Sequence, residues 1–214
     1  MIAIIDYGVG NLFSLCSSLR YIGREAAVTN ETAVIQKCDK MLLPGVGAFQ
    51  DAARKLGESG LGGLVIQETL KGKPLLGVCL GMQLLFEKSF EFGEHKGLGL
   101  LKGIIVPIKP RIPEDYNLAE TPPSSYKVPH IGWNALKLRG DRKPSLLKYV
   151  NEGSHVYFVH SYHAQQCEDS IIATTEYGTE LTAAVGWGNI FGTQFHPEKS
   201  GETGLNILRA FAEL

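Results

Sequence analysis

The sequence carries no excess of charge and lacks any hydrophobic run long enough to cross a membrane. Its 21 basic and 22 acidic residues give a formal net charge of -1, and its lysines and arginines form no clustered stripe. A nucleic-acid-binding protein normally has such a basic patch, so this class is disfavoured. The apolar run that starts at Met1 stops at Asp6, which excludes a signal peptide or a membrane span there. We therefore expect a cytoplasmic protein.

Cysteine is scarce and shows none of the spacings of disulfide-rich or zinc-binding proteins. The chain has four cysteines: Cys16, Cys38, Cys79 and Cys167. They are far apart and form no C-x-x-C pair, so we expect reduced thiols. His160 and His163 are three residues apart, but no cysteine or acidic residue at ligand spacing accompanies them. Because a structural site normally needs four protein ligands, the sequence predicts no metal centre.

The composition and the order of patterns are those of an α/β domain. With 214 residues, of which 44% are hydrophobic and 20% charged, the chain can bury a substantial core. No linker-like segment divides it, so we predict a single domain over residues 1–214. Short apolar runs alternate with helical patterns in the first half, and the pattern becomes rich in strands after Leu98.

Alternation of this kind predicts a parallel sheet with helices on both faces. The predicted strands are residues 2–5, 26–29, 41–43, 75–78, 104–108, 135–138, 156–159, 171–175, 183–187 and 190–195, and the predicted helices are residues 12–22 and 201–214. The fold class is thus α/β, a flavodoxin-like, doubly wound and mainly parallel sheet with a strand-rich C-terminal half. Ligands of such a sheet bind beyond the carboxyl ends of its strands.

Cys79 lies where a strand passes into a helix. The apolar run 75–78 predicts a buried strand, and residues 82–86 begin a helical pattern. Gly77 and Gly81 flank Cys79 at two positions on either side and leave room for a sharp, strained turn. A cysteine alone is more often a small buried hydrophobe. In this setting we interpret Cys79 as a nucleophile whose thiolate the first amides of the following helix stabilise.

His196 and Glu198 supply the partners that a cysteine nucleophile needs. Pro197 biases His196 toward extended backbone, in which residues i and i+2 project to the same side. Glu198 can then hold one imidazole nitrogen while the other faces Cys79. By itself the pair also fits a strand end with an exposed histidine and a solvated glutamate. Together with Cys79 it predicts a catalytic triad.

The segment Gly45-Val46-Gly47 follows another predicted strand. A tetrahedral intermediate needs N–H donors for its oxyanion, and Leu80, the residue after the nucleophile, supplies one of them. Val46 and Gly47 are candidates for the other. In isolation the same glycines also fit a phosphate-binding turn or a tight connection.

Gly8-x-Gly10 after the first strand resembles part of a dinucleotide-binding fingerprint. Phe13 stands where that fingerprint has its third glycine, which is needed for close packing of the helix. The sequence therefore disfavours a nucleotide cofactor.

Proline is concentrated in one stretch. Six of the ten prolines fall between Val106 and His130. Proline at this density is incompatible with helix and sheet, so residues 107–129 are predicted to form a surface loop.

Three of these segments resemble the signatures of class I, triad-type glutamine amidotransferases: Gly77-Val-Cys-Leu-Gly-Met-Gln83, Pro44-Gly-Val-Gly47 and His196-Pro-Glu198. Three more narrow the resemblance to the glutaminase subunits of imidazole glycerol phosphate synthase: Asp6-Tyr-Gly-Val-Gly-Asn11, His130-Ile-Gly-Trp-Asn134 and Tyr157-Phe-Val-His-Ser-Tyr162. The resemblance runs from Met1 to Leu214.

This resemblance implies cofactor-free hydrolysis of L-glutamine to glutamate and ammonia by Cys79, His196 and Glu198. It assigns glutamine binding to Gly45, Gln83, His160, Ser161 and Tyr162, and a partner interface to Asn11, Trp133 and Lys199. The implied partner is a (β/α)8-barrel cyclase subunit, which forms a heterodimer with the glutaminase and uses the ammonia in histidine biosynthesis. We expect the acceptor chemistry to belong to that second chain.

Other functions share parts of this pattern. Similar glutaminases serve pyridoxal phosphate synthase and nucleotide or sugar amidotransferases, so the acceptor stays open. A stand-alone cysteine hydrolase of the same fold would share the turn at Cys79 but would not need residues 44–47 or 130–134. A non-catalytic docking subunit would have no use for Cys79, His196 and Glu198 together.

Overall fold

The computed structural model describes residues 1–108, 127–140 and 144–214. Its strands are β1 (Ile2–Ile5), β2 (Ala26–Thr29), β3 (Lys40–Leu43), β4 (Leu75–Val78), β5 (Phe86–Ser89), β6 (His95–Lys96), β7 (Leu101–Pro107), β8 (His130–Ala135), β9 (Lys137–Leu138), β10 (His155–His160), β11 (Tyr162–Gln165), β12 (Ile171–Glu176), β13 (Glu180–Trp187) and β14 (Ile190–Thr193). Its helices are α1 (Leu12–Tyr21), α2 (Thr32–Lys37), α3 (Phe49–Glu58), α4 (Leu61–Leu70), α5 (Leu80–Leu84) and α6 (Gly201–Ala212).

The main sheet has eight strands in the order β2-β1-β3-β4-β14-β13-β12-β9. The first five are parallel to one another, and β13, β12 and β9 continue the sheet in antiparallel fashion. This arrangement confirms the predicted α/β class and the strand-rich C-terminal half. Two smaller sheets, β10-β8 and β11-β7-β5-β6, accompany it.

Both faces of the main sheet are covered, as β1 illustrates. Ile2 and Ile4 pack into a core that includes residues of α1 and α6, while Ala3 and Ile5 pack into a second core with residues of α3 and α4. Successive side chains of a strand point to opposite faces, so a strand between two helical layers is apolar throughout. This is why β1 and β4 are recognisable in the sequence as unbroken apolar runs.

The helix predicted over residues 82–86 is misplaced. The structure has helix only over Leu80–Leu84, and Phe86 begins β5, where it pairs with Leu101 of β7. Every side chain from Leu80 to Phe86 is buried. A segment that is apolar all round has no periodicity to separate helix from strand. Because α5 has only five residues, its dipole contributes less at Cys79 than the sequence prediction assumed.

The strand predicted over residues 135–138 is also wrong as a single element. Ala135 ends β8 and pairs with β10, whereas Lys137 begins β9 and pairs with β12 of the main sheet. Leu136, fully buried, is the point at which the chain changes sheets. The polar strands β6 and β11 and most of β8 were not predicted, since they lack an apolar run.

Several predicted bounds shift by one to three residues: β7 begins at Leu101, β14 ends at Thr193 and α6 ends at Ala212. Most of the loop predicted over residues 107–129 lies outside the described residues. None of the helices in the three described ranges has the length and apolar character to span a membrane.

Candidate active site

Three loops meet at one edge of the main sheet because the strands before them are parallel neighbours. β3, β4 and β14 lie side by side, with Val78 of β4 opposite Thr193 of β14. The carboxyl ends of parallel strands share an edge of the sheet. Residues 44–47, Cys79 and His196 each follow one of these ends and are thereby gathered from distant parts of the chain.

Cys79 occupies a strained turn between β4 and α5. Its φ of 55° and ψ of -113° lie in a region that non-glycine residues rarely adopt, at a cost of about 1–3 kcal/mol. The Cys79 N–H donates to the Thr193 carbonyl oxygen at 2.7 Å, which ties the turn to β14. Strain of this kind clusters at functional sites, where the surrounding structure maintains it.

The glycines around Cys79 permit backbone-to-backbone contact between neighbouring loops. A Cβ atom on Gly81 would overlap the Leu43 carbonyl oxygen, and one on Gly45 would lie 2.7 Å from the Gly81 nitrogen. A Cβ atom on Gly77 would lie 2.7 Å from the backbone of Met82. The strained conformation belongs to Cys79 itself, and the glycines let the loop after β3 approach it.

His196 and Glu198 form a buried pair next to Cys79. The imidazole Nδ1 of His196 lies 2.9 Å from Glu198 Oε1, and the two side chains are only 3% and 1% exposed. The imidazole and the Cys79 side chain line the same cleft, and Cys79 is one of the groups that raise the pKa of His196. His196 has extended backbone before Pro197, and the Ser200 hydroxyl donates to its carbonyl oxygen at 2.6 Å. The three predicted triad residues therefore lie together.

Burial alone would lower the pKa of His196, because it disfavours the charged imidazolium. Hydrogen bonds to Cys79 and Glu198, together with the negative charges of these two groups, outweigh burial and raise the pKa of His196 well above its ordinary value. The imidazole is thus held as a cation beside the sulfur. Such a pair can present a thiolate for attack and a proton for a leaving group.

The loop after β3 is anchored by a buried hydrogen bond at Pro44, and its residues Val46 and Gly47 face the cleft. The buried Tyr7 hydroxyl donates to the Pro44 carbonyl oxygen at 2.7 Å. Burial, followed by the charge of Cys79, raises the pKa of Tyr7, so the hydroxyl keeps its proton. Val46 and Gly47 line the cleft that contains Cys79. Gly47 has a φ of +91° and open space around the position of a Cβ atom, so its peptide has room to turn.

The cleft has a volume of about 440 Å³, within the usual size of small-molecule sites. Leu80 lines it beside Cys79. Four of the residues predicted to bind glutamine also line it: Gln83, His160, Ser161 and Tyr162. Gly45, the fifth, is not among its lining residues and packs instead against Leu80 and Gly81.

The side-chain nitrogen of Gln83 already makes two hydrogen bonds within the protein. Its Nε2 donates to the Tyr162 carbonyl oxygen at 3.1 Å and to Gln194 Oε1 at 3.0 Å, which leaves Oε1 to accept from a ligand. Gln194, which the sequence analysis missed, is fully buried, and its Nε2 lies 3.9 Å from Cys79 Sγ. No local pattern marks Gln194, because β14 ends at Thr193 and the extended segment predicted through Glu198 is replaced after His196 by a 3₁₀ turn over Pro197–Lys199.

Glu91 is a second residue that the sequence analysis missed. It lines the cleft, and its Oε2 accepts the Phe49 N–H at 2.6 Å. Lys199 lines the same cleft. These two charges are opposite to those of the ammonium and carboxylate groups of a free amino acid. Nothing in the local sequence of Glu91 distinguishes it, because its place depends on the sheet that contains β5.

The predicted interface residues fall into two groups. Trp133 on β8 is 53% exposed and contacts the Tyr157 ring edge-to-face, with centroids 6.0 Å apart. Lys199 Nζ lies 5.8 Å from the centroid of the same ring. Asn11 precedes α1, next to Gly10, where a Cβ atom would lie 2.8 Å from the Pro44 side chain. All three are therefore near loops that border the cleft.

The family model of glutamine amidotransferase class-I matches residues 3–213 of the chain. The chain belongs to the class I glutamine amidotransferase family. Class I glutamine amidotransferases are enzymes, and the family predicted for this chain from its sequence is thereby confirmed.

Curated relatives align with this amidotransferase over its whole length. It is 46% identical to imidazole glycerol phosphate synthase subunit HisH of Caldanaerobacter subterraneus subsp. tengcongensis, over 100% of this chain and 98% of the relative. It is 47% identical to the subunit of the same name from Geobacillus sp. strain WCH70, over 100% of this chain and 97% of the relative.

Solved structures share the fold at low sequence identity. A crystal structure of a glutamine amidotransferase matches with a TM-score of 0.72 at 16% identity, covering 100% of both chains. The structure of PurLQS from Thermotoga maritima matches with a TM-score of 0.71 at 18% identity, covering 99% of this chain and 97% of the other.

Proposed function

We propose that this amidotransferase is the glutaminase subunit of an imidazole glycerol phosphate synthase. It hydrolyses L-glutamine to glutamate and ammonia and transfers the ammonia to a cyclase subunit in histidine biosynthesis. The observation that carries the chemistry is the buried pair of His196 and Glu198, which shares an open cleft with Cys79. The full-length relatives, which are subunits of that synthase, support the acceptor.

The reaction begins with attack of Cys79 Sγ on the side-chain carboxamide carbon of glutamine. His196 gives its proton to the departing nitrogen, so ammonia leaves and a thioester on Cys79 remains. The neutral imidazole then takes a proton from a water molecule that attacks the thioester, which releases glutamate. Glu198 holds Nδ1, so the opposite nitrogen of the ring makes both proton transfers.

The oxyanion of each tetrahedral intermediate needs two N–H donors. Leu80 supplies one from the first turn of α5, and the peptide that joins Val46 to Gly47 supplies the other. A missing donor typically costs about 10²–10³ in rate. The conformational freedom of Gly47 makes the second donor adjustable at modest cost.

Glutamine binds in the cleft through its two ends. The Glu91 carboxylate suits the α-ammonium group, and Gln83 Oε1 is free to accept a hydrogen bond from the substrate. The backbone of residues 160–162 lies along the same cleft. Discrimination for a free amino acid follows from this placement of charge, because a peptide-bound glutamine has no ammonium group for Glu91.

The partner is a (β/α)8-barrel cyclase that forms a heterodimer with this chain in the cytoplasm. It docks over Asn11, Trp133 and Lys199, next to the loops that border the cleft. The family model spans nearly all of residues 1–214, which supports a single glutaminase domain. The cyclase uses the ammonia to convert a ribulosyl aminoimidazole-carboxamide nucleotide into imidazole glycerol phosphate and an aminoimidazole-carboxamide ribonucleotide.

The test is a steady-state glutaminase assay of the chain alone, with the cyclase, and with the cyclase plus that nucleotide. We expect slow hydrolysis by the chain alone and a large rise in kcat with both additions, coupled to formation of imidazole glycerol phosphate. The control is Cys79→Ser, which should retain synthesis from added ammonia. Full activity of the isolated chain, or no response to the cyclase, would contradict the proposal.

A further inference from the structure

A continuous chain of hydrogen bonds runs from the exposed strand β8 to the nucleophile. It starts from His130, whose Nδ1 lies 2.9 Å from His160 Nε2, and His160 Nδ1 donates to the Tyr162 carbonyl oxygen at 2.8 Å. Gln83 donates to that same oxygen and to Gln194, which in turn reaches Cys79 Sγ. The mechanism proposed above uses neither His130 nor Gln194.

The side chains that form this series of hydrogen bonds are buried. His130 and Gln194 are fully buried, and Gln83 and His160 are 5% and 6% exposed. The His130 ring is also stacked between Phe158 and Tyr177, with centroids 4.8 Å and 4.0 Å away. Hydrogen bonds in such surroundings are stronger than in water, and leaving one unmade is costly.

The outer end of the chain is a strand with two different faces. His130 and Asn134 project to the inside of β8, whereas Ile131 and Trp133 are 58% and 53% exposed on the other side. Trp133 is one of the residues to which we assign the cyclase interface. Movement of β8 on docking would therefore reach His130 directly.

The positions of the protons give this series of hydrogen bonds two discrete states, one with all bonds formed and one with a bond unmade. The Tyr162 carbonyl only accepts, so His160 Nδ1 carries a proton and a neutral His160 accepts at Nε2. His130 must then donate from Nδ1. Its Nε2 lies 2.9 Å from Asn134 Oδ1, while Asn134 Nδ2 donates to the Glu176 carbonyl oxygen at 2.9 Å.

All of these bonds form together only when His130 carries two protons. With a neutral His130, two lone pairs face each other at Asn134, and turning the amide over moves the conflict to the Glu176 carbonyl. Burial lowers the pKa of His130, and the bond to Asn134 opposes that effect. The ionisable groups that face His130 in the described part of the chain are His160 and Tyr177, since Glu176 approaches through its backbone.

We propose that His130 is a positioning residue that couples strand β8 to Cys79 through His160, the Tyr162 carbonyl, Gln83 and Gln194. Docking of the partner on β8 selects the fully bonded state, in which Gln194 holds the sulfur for attack. The role of the partner rests on the proposed function. The coupling itself is a property of this chain and can be measured without a partner.

Three substitutions of His130 separate the roles of its ring, its Nδ1 and its Nε2. His130→Phe keeps a stacked ring and removes both hydrogen bonds, His130→Asn keeps a donor near the position of Nδ1, and His130→Gln keeps one near Nε2. The readouts are kcat and KM of the cyclase complex and the alkylation rate of Cys79 by iodoacetamide in the isolated chain, followed on its peptide by mass spectrometry.

We expect the Phe and Gln variants to lose about tenfold in kcat and in alkylation rate, as for one lost buried hydrogen bond. KM should rise by a smaller factor than kcat falls, because Glu91, which binds the ammonium group, lies outside the chain of bonds and only the contact of the substrate with Gln83 and residues 160–162 is shared with it. The Asn variant should match the wild type at neutral pH. The stimulation of the wild type by the cyclase should shrink as the pH falls towards the lowered pKa of His130, because the free chain then reaches the doubly protonated, fully bonded state by itself, and the Asn variant should not show this decrease.

A double-mutant cycle between His130→Phe and Gln194→Met decides whether the two ends are connected. If one chain joins them, the double variant loses little more than the worse single variant, because sites in one network are not additive. Multiplying effects, or an Asn variant as impaired as the Phe variant, would overturn the proposal. If the cyclase fails to stimulate even the wild type, the proposed function fails, and alkylation in the isolated chain still decides the coupling.

Discussion

Two buried histidines line the same cleft, and their pKa values are shifted in opposite directions. Burial disfavours the charged form of both, yet the pKa of His196 is raised by Cys79 and Glu198. Burial lowers the pKa of His160 to about 3, because its partners are a carbonyl oxygen, which only partly opposes burial, and other histidines. The identity of the neighbour, rather than the depth of burial, decides which histidine carries a proton and which acts as a fixed hydrogen-bonding spacer.

Among the changes that test this contrast between His196 and His160, removal of Cys79 has the largest expected effect on activity. Cys79→Ala eliminates the nucleophile and one of the two groups that raise the pKa of His196. We expect glutaminase activity of the cyclase complex to fall to background, while synthesis from added ammonia survives. Retention of more than a few per cent of the glutaminase rate by a folded variant would disprove the role of Cys79.

Removing the two partners of the thiol should separate the base from the residue that orients it. His196→Ala should cost nearly as much as loss of Cys79, whereas Glu198→Gln should cost less, about 10⁴-fold, because triad members act together but not equally. The measurement is kcat of each variant in the complex. Wild-type turnover of His196→Ala would remove His196 from the mechanism.

A third change tests the oxyanion loop without adding a clash. Gly47→Ala places a Cβ atom in open space but disfavours the φ of +91°, so we expect activation by the partner to fall by up to about 10²–10³ with complex formation intact. Gly23→Ala is the matched control, since Gly23 has a φ of +74° and equally open space near the end of α1. Equal effects of the two substitutions would show general destabilisation rather than loss of a donor.

The parts of the site that the sequence predicts are those that follow recognisable buried strands. Cys79 and residues 44–47 come directly after apolar runs that become β4 and β3, so their place at the sheet edge follows from local pattern. His130 and His160 meet only because β8 and β10 pair in antiparallel register, with these two residues opposite each other. That register is set by tertiary packing, and the local sequence of β8, His130–Ala135, gives no sign of it.

The same limit explains the wrong prediction over residues 135–138. Apolar alternation through Leu136 indicates one strand, but whether that strand stays in one sheet depends on β10 and β12, which come later in the chain. Glu91 is similar, because its carboxylate enters the cleft through the pairing of β5 with β7. Local periodicity therefore predicts the strands in the parallel half of the main sheet better than it predicts the strands of the two smaller sheets.

The smallest expected effect concerns the neutral histidines and the dependence of stability on pH. Burial lowers the pKa of His163 to about 4. Below pH 6.5 the unfolded chain takes up a proton at this residue that the folded chain does not, so stability falls as the pH falls from about 6.5 towards 4. His163→Leu should reduce that slope by up to about 1.4 kcal/mol per pH unit, measured by urea unfolding at several pH values. An unchanged slope would show that His163 is protonated in the folded chain.

The most direct test of the account is to find which atom reacts with a glutamine-like electrophile. The complex is treated with 6-diazo-5-oxo-L-norleucine and analysed by peptide mass spectrometry, with excess glutamine as protection and Cys79→Ser as the control. We expect one adduct per chain, on Cys79, that glutamine prevents and the variant lacks. Inactivation with no adduct on Cys79, or with an adduct on Cys16, Cys38 or Cys167 instead, would contradict the assignment of Cys79 as the nucleophile.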